Sequence, residues 1–104
     1  MGWKVIISPS AQTDLEEIVR YAARRNGDAA LRLGYLLIIR AEAVAAFPEM
    51  GRVVPEFQPS NLREVICRSY RVIYRLQNDR QRIEVVRFWH GARGFPHIPN
   101  ADLP

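Results

Sequence analysis

The stretch from Leu62 to Arg93, LREVICRSYRVIYRLQNDRQRIEVVRFWHGAR, leaves this chain the fewest choices of fold. Val, Ile and aromatic residues recur through it, and its one turn-like break is Gln77 to Gln81. Such residues suit a pleated surface, so the stretch predicts strands over Leu62 to Arg68, Tyr70 to Leu76 and Arg82 to His90, with Asn78-Asp79-Arg80 as a hairpin turn. Successive side chains of a strand alternate between faces. Tyr70, Val72, Tyr74 and Leu76 are therefore expected on a core face, with Arg71, Ile73 and Arg75 looking outward. In the last strand both series are apolar, Ile83 and Val85 against Val86 and Phe88, the pattern of a central strand covered on both sides. In Leu62 to Arg68 both parities are mixed, and alternation leaves its inward face open.

The residues before this stretch supply helices. Trp3-Lys4-Val5-Ile6-Ile7 is a short β-prone run ending at Ser8-Pro9, a helix cap followed by proline at the first helical position. From Pro9 to about Arg25, Ala11, Leu15, Ile18, Val19 and Ala22 recur at spacings of three and four, the stripe of an amphipathic helix. Asn26-Gly27 predicts a stop with Gly27 left-handed, and Asp28 is placed to cap a second helix reaching about Phe47. So short a connection implies a helical hairpin. The second helix is apolar around most of its circumference. It needs either two covering elements of its own chain or a second chain against Tyr35, Leu36 and Ile39. PEMGRVVPEFQPSN, at 48–61, has no clear period and reads as a loop. The sum is one α+β domain, 1–104, of order β-α-α-β-β-β: an antiparallel sheet with the helical hairpin packed on one face, and 94–104 as a poorly ordered tail.

Composition excludes several classes. No apolar run is long enough to cross a bilayer and no signal-like segment opens the chain, so the expectation is a cytoplasmic protein with no membrane partner. The single Cys67 can form no internal disulfide, and no metal site or cofactor is expected. Residues 1–60 carry seven basic and seven acidic side chains, whereas 61–104 carry eight arginines and four acids, so the net charge of +4 arises in the sheet-forming part.

Ala11, Asp14, Leu15, Ile18, Tyr21 and Asn26 in the first helix, FPEMGR at 47–52, LREVICRSYRVIYR at 62–75 and VVRFWHGAR at 85–93 together resemble the RelE/ParE family of toxins from bacterial type II toxin–antitoxin modules. The resemblance covers nearly the whole chain, with Gln12 as a minor departure. It implies a toxin that a cognate antitoxin neutralises. Few basic residues on the second helix, the HGAR strand end and the lack of a Lys-rich loop look more like the ParE branch, whose members poison DNA gyrase. A RelE-like, ribosome-dependent messenger-RNA endoribonuclease is the alternative, and a non-toxic interaction module a further one.

In the nuclease reading the candidate catalytic residues are Arg63, Glu64, Arg71, His90 and Arg93. Glu64 or His90 would move the proton, the arginines would meet the phosphate, and Tyr74 or Trp89 would stack on a base. Plainer roles compete with these: an ion pair of Glu64 with Arg63 or Arg68, and His90 as a backbone-bonded anchor. For the antitoxin the expected contacts are Leu15, Ile18, Val19, Tyr35, Leu36 and Ile39, with Arg71 and Arg75 as a basic groove for its acidic side chains.

Overall fold

The computed structural model describes residues 2–57, 62–94 and 96–98. Strand β1 (Lys4–Ile7) runs into helix α1 (Pro9–Ala23), whose cap is Ser8: its Oγ accepts the Ala11 N–H at 3.1 Å. Helix α2 (Gly27–Ala43) follows at once, and here the expected cap is corrected. Asn26, not Asp28, caps α2, its Oδ1 accepting the Ala29 N–H at 3.0 Å. Gly27 is the first residue of α2 rather than a left-handed stop, and Gly94 is the only positive-φ glycine among the described residues. One asparagine accepts from the new helix while its own N–H bonds Ala22 O of the old one. The helices approach closely at Gly34, where a Cβ would lie 2.8 Å from Val19 Cγ2.

Strands β2 (Arg52–Val53), β3 (Leu62–Cys67), β4 (Tyr70–Gln77) and β5 (Arg82–His90) complete a five-stranded sheet of order β1-β5-β4-β3-β2. The α+β architecture and helical hairpin expected from the sequence are present. Two features of the sheet differ. It is mixed, because β1 pairs parallel to the last strand, Val5 beside Ile83, while the other pairs are antiparallel. It also gains β2 from the segment read as loop: Arg52 lies beside Glu64, and a turn at Pro55–Phe57 follows. Two residues give too little alternation to be recognised as a strand.

Alternation places β4 as expected, with Val72, Tyr74 and Leu76 in the core shared with Leu37, Ala41 and Val44 of the helical layer. In β5 it fails at one point. The register with β4 shifts between Ile73 and Tyr74, so that Ile73 faces Arg87 and Tyr74 faces Val85. Such a bulge reverses parity. Phe88 accordingly joins Ile83 and Val85 in the core under the helices, and Val86 joins Trp89 on the opposite face. In β3, Val65 and Cys67 face the helices, while Leu62 packs with Val54, Ile73, Val86, Trp89 and Ile98 in a second cluster.

The second cluster corrects the expectation of an outward-looking face and bears on the tail. The face carrying Arg71, Ile73 and Arg75 is largely covered, with Ile73 0% and Arg71 8% exposed. The tail is in part structural: Ile98 is 4% exposed and the His97 carbonyl accepts from Arg87 at 2.7 Å. Residues 95 and 99–104 of that expectation lie outside the described residues. Gly51 lets the chain cross the edge of β3, since a Cβ there would lie 2.5 Å from Glu64 O and from the Tyr74 hydroxyl.

Candidate functional site

The residues expected to act together are divided between two faces of the sheet. On the face away from the helices, β3 and β4 set Glu64 beside Ile73 and Ile66 beside Arg71. Glu64 is 1% exposed, and both its oxygens are engaged. Oε1 accepts from Arg71 Nε at 2.5 Å and Oε2 from Arg52 Nε at 2.6 Å. The remaining arms of Arg71 donate to the two oxygens of Glu56, each at 2.9 Å. Hydrogen bonding from Arg71 outweighs partial burial and holds the Glu56 carboxyl below its ordinary value, and Glu56 and Glu64 in turn raise the pKa of Arg71. This is a closed network of two arginines and two carboxylates. The ion-pair reading of Glu64 holds, with Arg52 and Arg71 in place of Arg63 and Arg68.

Arg63 lies on the other face and serves the 48–51 segment, donating to Gly51 O at 2.7 Å and Glu49 O at 3.3 Å. Tyr74 completes that support, its hydroxyl donating to Pro48 O at 2.9 Å and accepting the Gly51 N–H at 3.0 Å. Burial pushes its phenol pKa up, and Tyr74 is 0% exposed, so it offers no stacking surface. Arg75 pairs with Glu84 at 3.1 Å. Where a basic groove was expected from Arg71 and Arg75, both guanidinium groups hold carboxylates of this chain.

His90 and Arg93 sit elsewhere, where β5 ends beyond the reach of β1. Nδ1 of His90 accepts the Ala92 N–H at 3.1 Å, which makes it the anchor of the Gly91–Arg93 turn, and its ring meets Tyr70 edge-on at 5.1 Å. Arg93 stacks on Trp89 at 4.2 Å, and Arg87 lies over the same ring at 4.6 Å. His90 and Arg93 line a groove whose opposite wall is α1, with Glu17, Arg20, Tyr21 and Arg24. The sequence reading missed that wall. Arg20 and Arg24 were visible only as helix-end charges, and the spacing that turns Tyr21 with them toward β5 depends on how α1 docks. That docking rests on Asp14, which takes two bonds from Arg87 at 2.7 Å each and the Phe88 N–H at 3.1 Å. Among the described residues no group of His, Cys, Asp or Glu converges to hold a metal, and no helix is long and apolar enough to cross a membrane.

The expected apolar contacts also divide. Leu15, Ile18 and Leu36 pack against the main core, and Val19 meets Gly34 between the helices. Tyr35 and Ile39 are 69% and 47% exposed, and the sequence reading passed over Leu31, at 67%, and Ile38, at 37%. These four make one stripe along a flank of α2 that its buried residues Ala30, Gly34, Leu37 and Ala41 leave uncovered.

Comparison with known proteins bears on what such an arrangement serves. The family model described as the ParE toxin of a type II toxin–antitoxin system, parDE, matches residues 5–95. Among solved structures, the chromosomal ParDE toxin–antitoxin system from P. aeruginosa superimposes with a TM-score of 0.72 at 15% identity, covering 85% of this chain and 95% of that one. The toxin–antitoxin complex RelBE2 from Mycobacterium tuberculosis gives a TM-score of 0.67 at 15% identity, covering 86% of this chain and 99% of that one. No curated protein sequence matches.

Proposed function

The chain belongs to the ParE toxin family of type II toxin–antitoxin systems, and we propose that it poisons DNA gyrase by binding, without cleaving RNA, and is neutralised by a cognate antitoxin. The observation that carries the non-catalytic part is the closed network around Glu64. Cleavage of RNA through its 2′-hydroxyl needs a base with a free lone pair and a cation free to meet the phosphorane. Both Glu64 oxygens hold arginines and Arg71 is filled by Glu64 and Glu56; His90, on a different face beside Arg93, has a cation near it but its Nδ1 lone pair is taken by the Ala92 N–H, so no base is left free. A nucleotide at Arg71 would first have to displace a bidentate carboxylate. Membership of the ParE family supports gyrase as the target in this reading, and these pairings support it by leaving the protein to act through its surface.

The antitoxin, in this reading, covers the stripe of Leu31, Tyr35, Ile38 and Ile39 with an amphipathic segment that folds on binding. The target is tested by assaying purified toxin in gyrase supercoiling and, in parallel, on ribosomes programmed with message. Inhibited supercoiling with intact message is expected. Message cut in the ribosomal A site, with cutting lost in Glu64→Gln, overturns the gyrase reading.

A further inference from the structure

Ion pairing sorts the arginines into two groups. Arg52, Arg71, Arg75 and Arg87 each hold a carboxylate. Of the arginines with no ion pair among the described residues, Arg20, Arg24 and Arg93, the last lying over the Trp89 ring, all line the groove between α1 and the ends of β4 and β5, a concavity of about 690 Å³. Of the acids beside them, Asp14 is bound to Arg87 and the Phe88 N–H, which leaves Glu17 alone to offset three cations.

The groove also presents rings. Tyr21 is 69% exposed with the Arg24 guanidinium 5.5 Å from its centroid, and Tyr70 and His90 lie across from it. Nδ1 of His90 is taken by the Ala92 N–H, so a ligand in the groove would meet this ring at Nε2. Arg20 and Arg24 also complement the negative end of α1, but that weak effect explains neither Arg93, which comes from another element, nor the exposed ring. Guanidinium groups beside exposed aromatic rings suit a splayed strand, whose phosphates take the cations and whose bases stack; an acidic peptide would use the cations and leave the rings idle.

We propose that this groove binds single-stranded nucleic acid, with Arg20, Arg24 and Arg93 on its phosphates and Tyr21 under a base. The assignment is separate from the choice of gyrase or ribosome as target.

The test is fluorescence anisotropy of the full chain with a short labelled oligonucleotide of thymidylate, and with its ribo counterpart of uridylate. Arg20→Glu with Arg24→Glu is expected to weaken binding more than tenfold and to reduce the slope of log affinity against log salt by about one to two, since each lost phosphate contact removes roughly 0.7. Tyr21→Ala should weaken it at least about fivefold and Tyr21→Phe should not, because the ring and not the hydroxyl stacks. Arg32→Glu with Arg80→Glu changes net charge equally on exposed positions outside the groove and should leave affinity within about twofold. All four positions changed to Glu are exposed, so both double variants should stay folded at the assay temperature, the groove variant melting only slightly lower for its reversed charges at the end of α1. A preference for one oligonucleotide identifies the natural strand. The proposal fails if neither oligonucleotide binds at physiological salt, if the groove variant binds like the parent, if the control loses as much, or if poly-glutamate displaces the oligonucleotide at lower concentration than unlabelled oligonucleotide does.

Discussion

Glu64 is the residue whose meaning the structure alters most. Its side chain is fully buried between two arginines of unequal exposure, Arg52 at 64% and Arg71 at 10%. Glu64→Gln removes one of the two carboxylates that compensate buried Arg71, leaving Glu56, and is expected to cost about 2 kcal/mol, read as a shift in urea midpoint. Arg52→Ala breaks the same short contact from its solvated end and should cost below about 1 kcal/mol. Equal losses would mean that the pairing is not graded by burial. Glu56 makes a separate prediction through its lowered pKa. A carboxyl that is more acidic in the fold contributes stability above its unfolded pKa and loses it as pH falls through the folded value. Glu56→Gln should therefore lower the Tm at neutral pH and converge with the parent in acid; a constant offset across the titration would sink the linkage. The ion-pair role of Glu64 was legible in the sequence. Its partners were not, because Arg52 reaches it only through β2, a two-residue strand that leaves almost no pattern.

At the scale of elements, the helices were legible because Ser8-Pro9 and the Ala11, Leu15, Ile18 spacing each carry a local cause. The boundary between them was misread, since Asn26 accepts the Ala29 N–H and closes one helix while opening the next. The parity of β5 was misread for a related reason: the bulge near Val86 moves Phe88 to the core face, and nothing in a continuous apolar run marks where an extra residue enters. α2 carries the clearest functional consequence. Its inner side is filled by Leu37 and Ala41, which leaves Leu31, Tyr35, Ile38 and Ile39 without a covering element among the described residues. Tyr35→Glu, at an exposed position, should leave the fold intact and weaken the antitoxin complex by about 2 kcal/mol or more, roughly thirtyfold in Kd by calorimetry. The same substitution at Phe47, which is 70% exposed but lies beyond α2, should change Kd little. A complex indifferent to Tyr35→Glu places the antitoxin elsewhere.

Across the whole molecule, the ends of the chain close the structure. β1 pairs with β5 only as far as Ile7, beside Val85, and the next stretch of the β5 edge is completed by the helix rather than by a strand. Ser8 N–H bonds Val85 O at 3.0 Å, Ser8 Oγ bonds Val86 O at 3.3 Å, and Asp14 accepts the Phe88 N–H. Sequence reading reaches neither the parallel pairing nor this edge, because both join residues more than seventy positions apart and no local preference encodes them. Asp14 and Arg87 are the charged centre of this closure. Arg87 also donates to His97 O and lies over Trp89, so one guanidinium joins α1, β5 and the segment that covers the second cluster. Both side chains are mostly buried, at 15% and 9% exposure, which makes the pair cooperative rather than a surface ornament. Asp14→Ala leaves a buried cation and an unpaired Phe88 N–H and should cost about 3 kcal/mol. Arg87→Ala should cost a comparable amount, and the double variant less than the two together, with a coupling of about 1 to 2 kcal/mol in a double-mutant cycle by urea denaturation. Strict additivity would mean that the Asp14–Arg87 pair itself contributes nothing and that α1 is held to the sheet by its other contacts, the Phe88 N–H bond to Asp14 among them. Strong coupling in the same cycle would instead show one contact setting both the closure of the fold and the placement of its free cations.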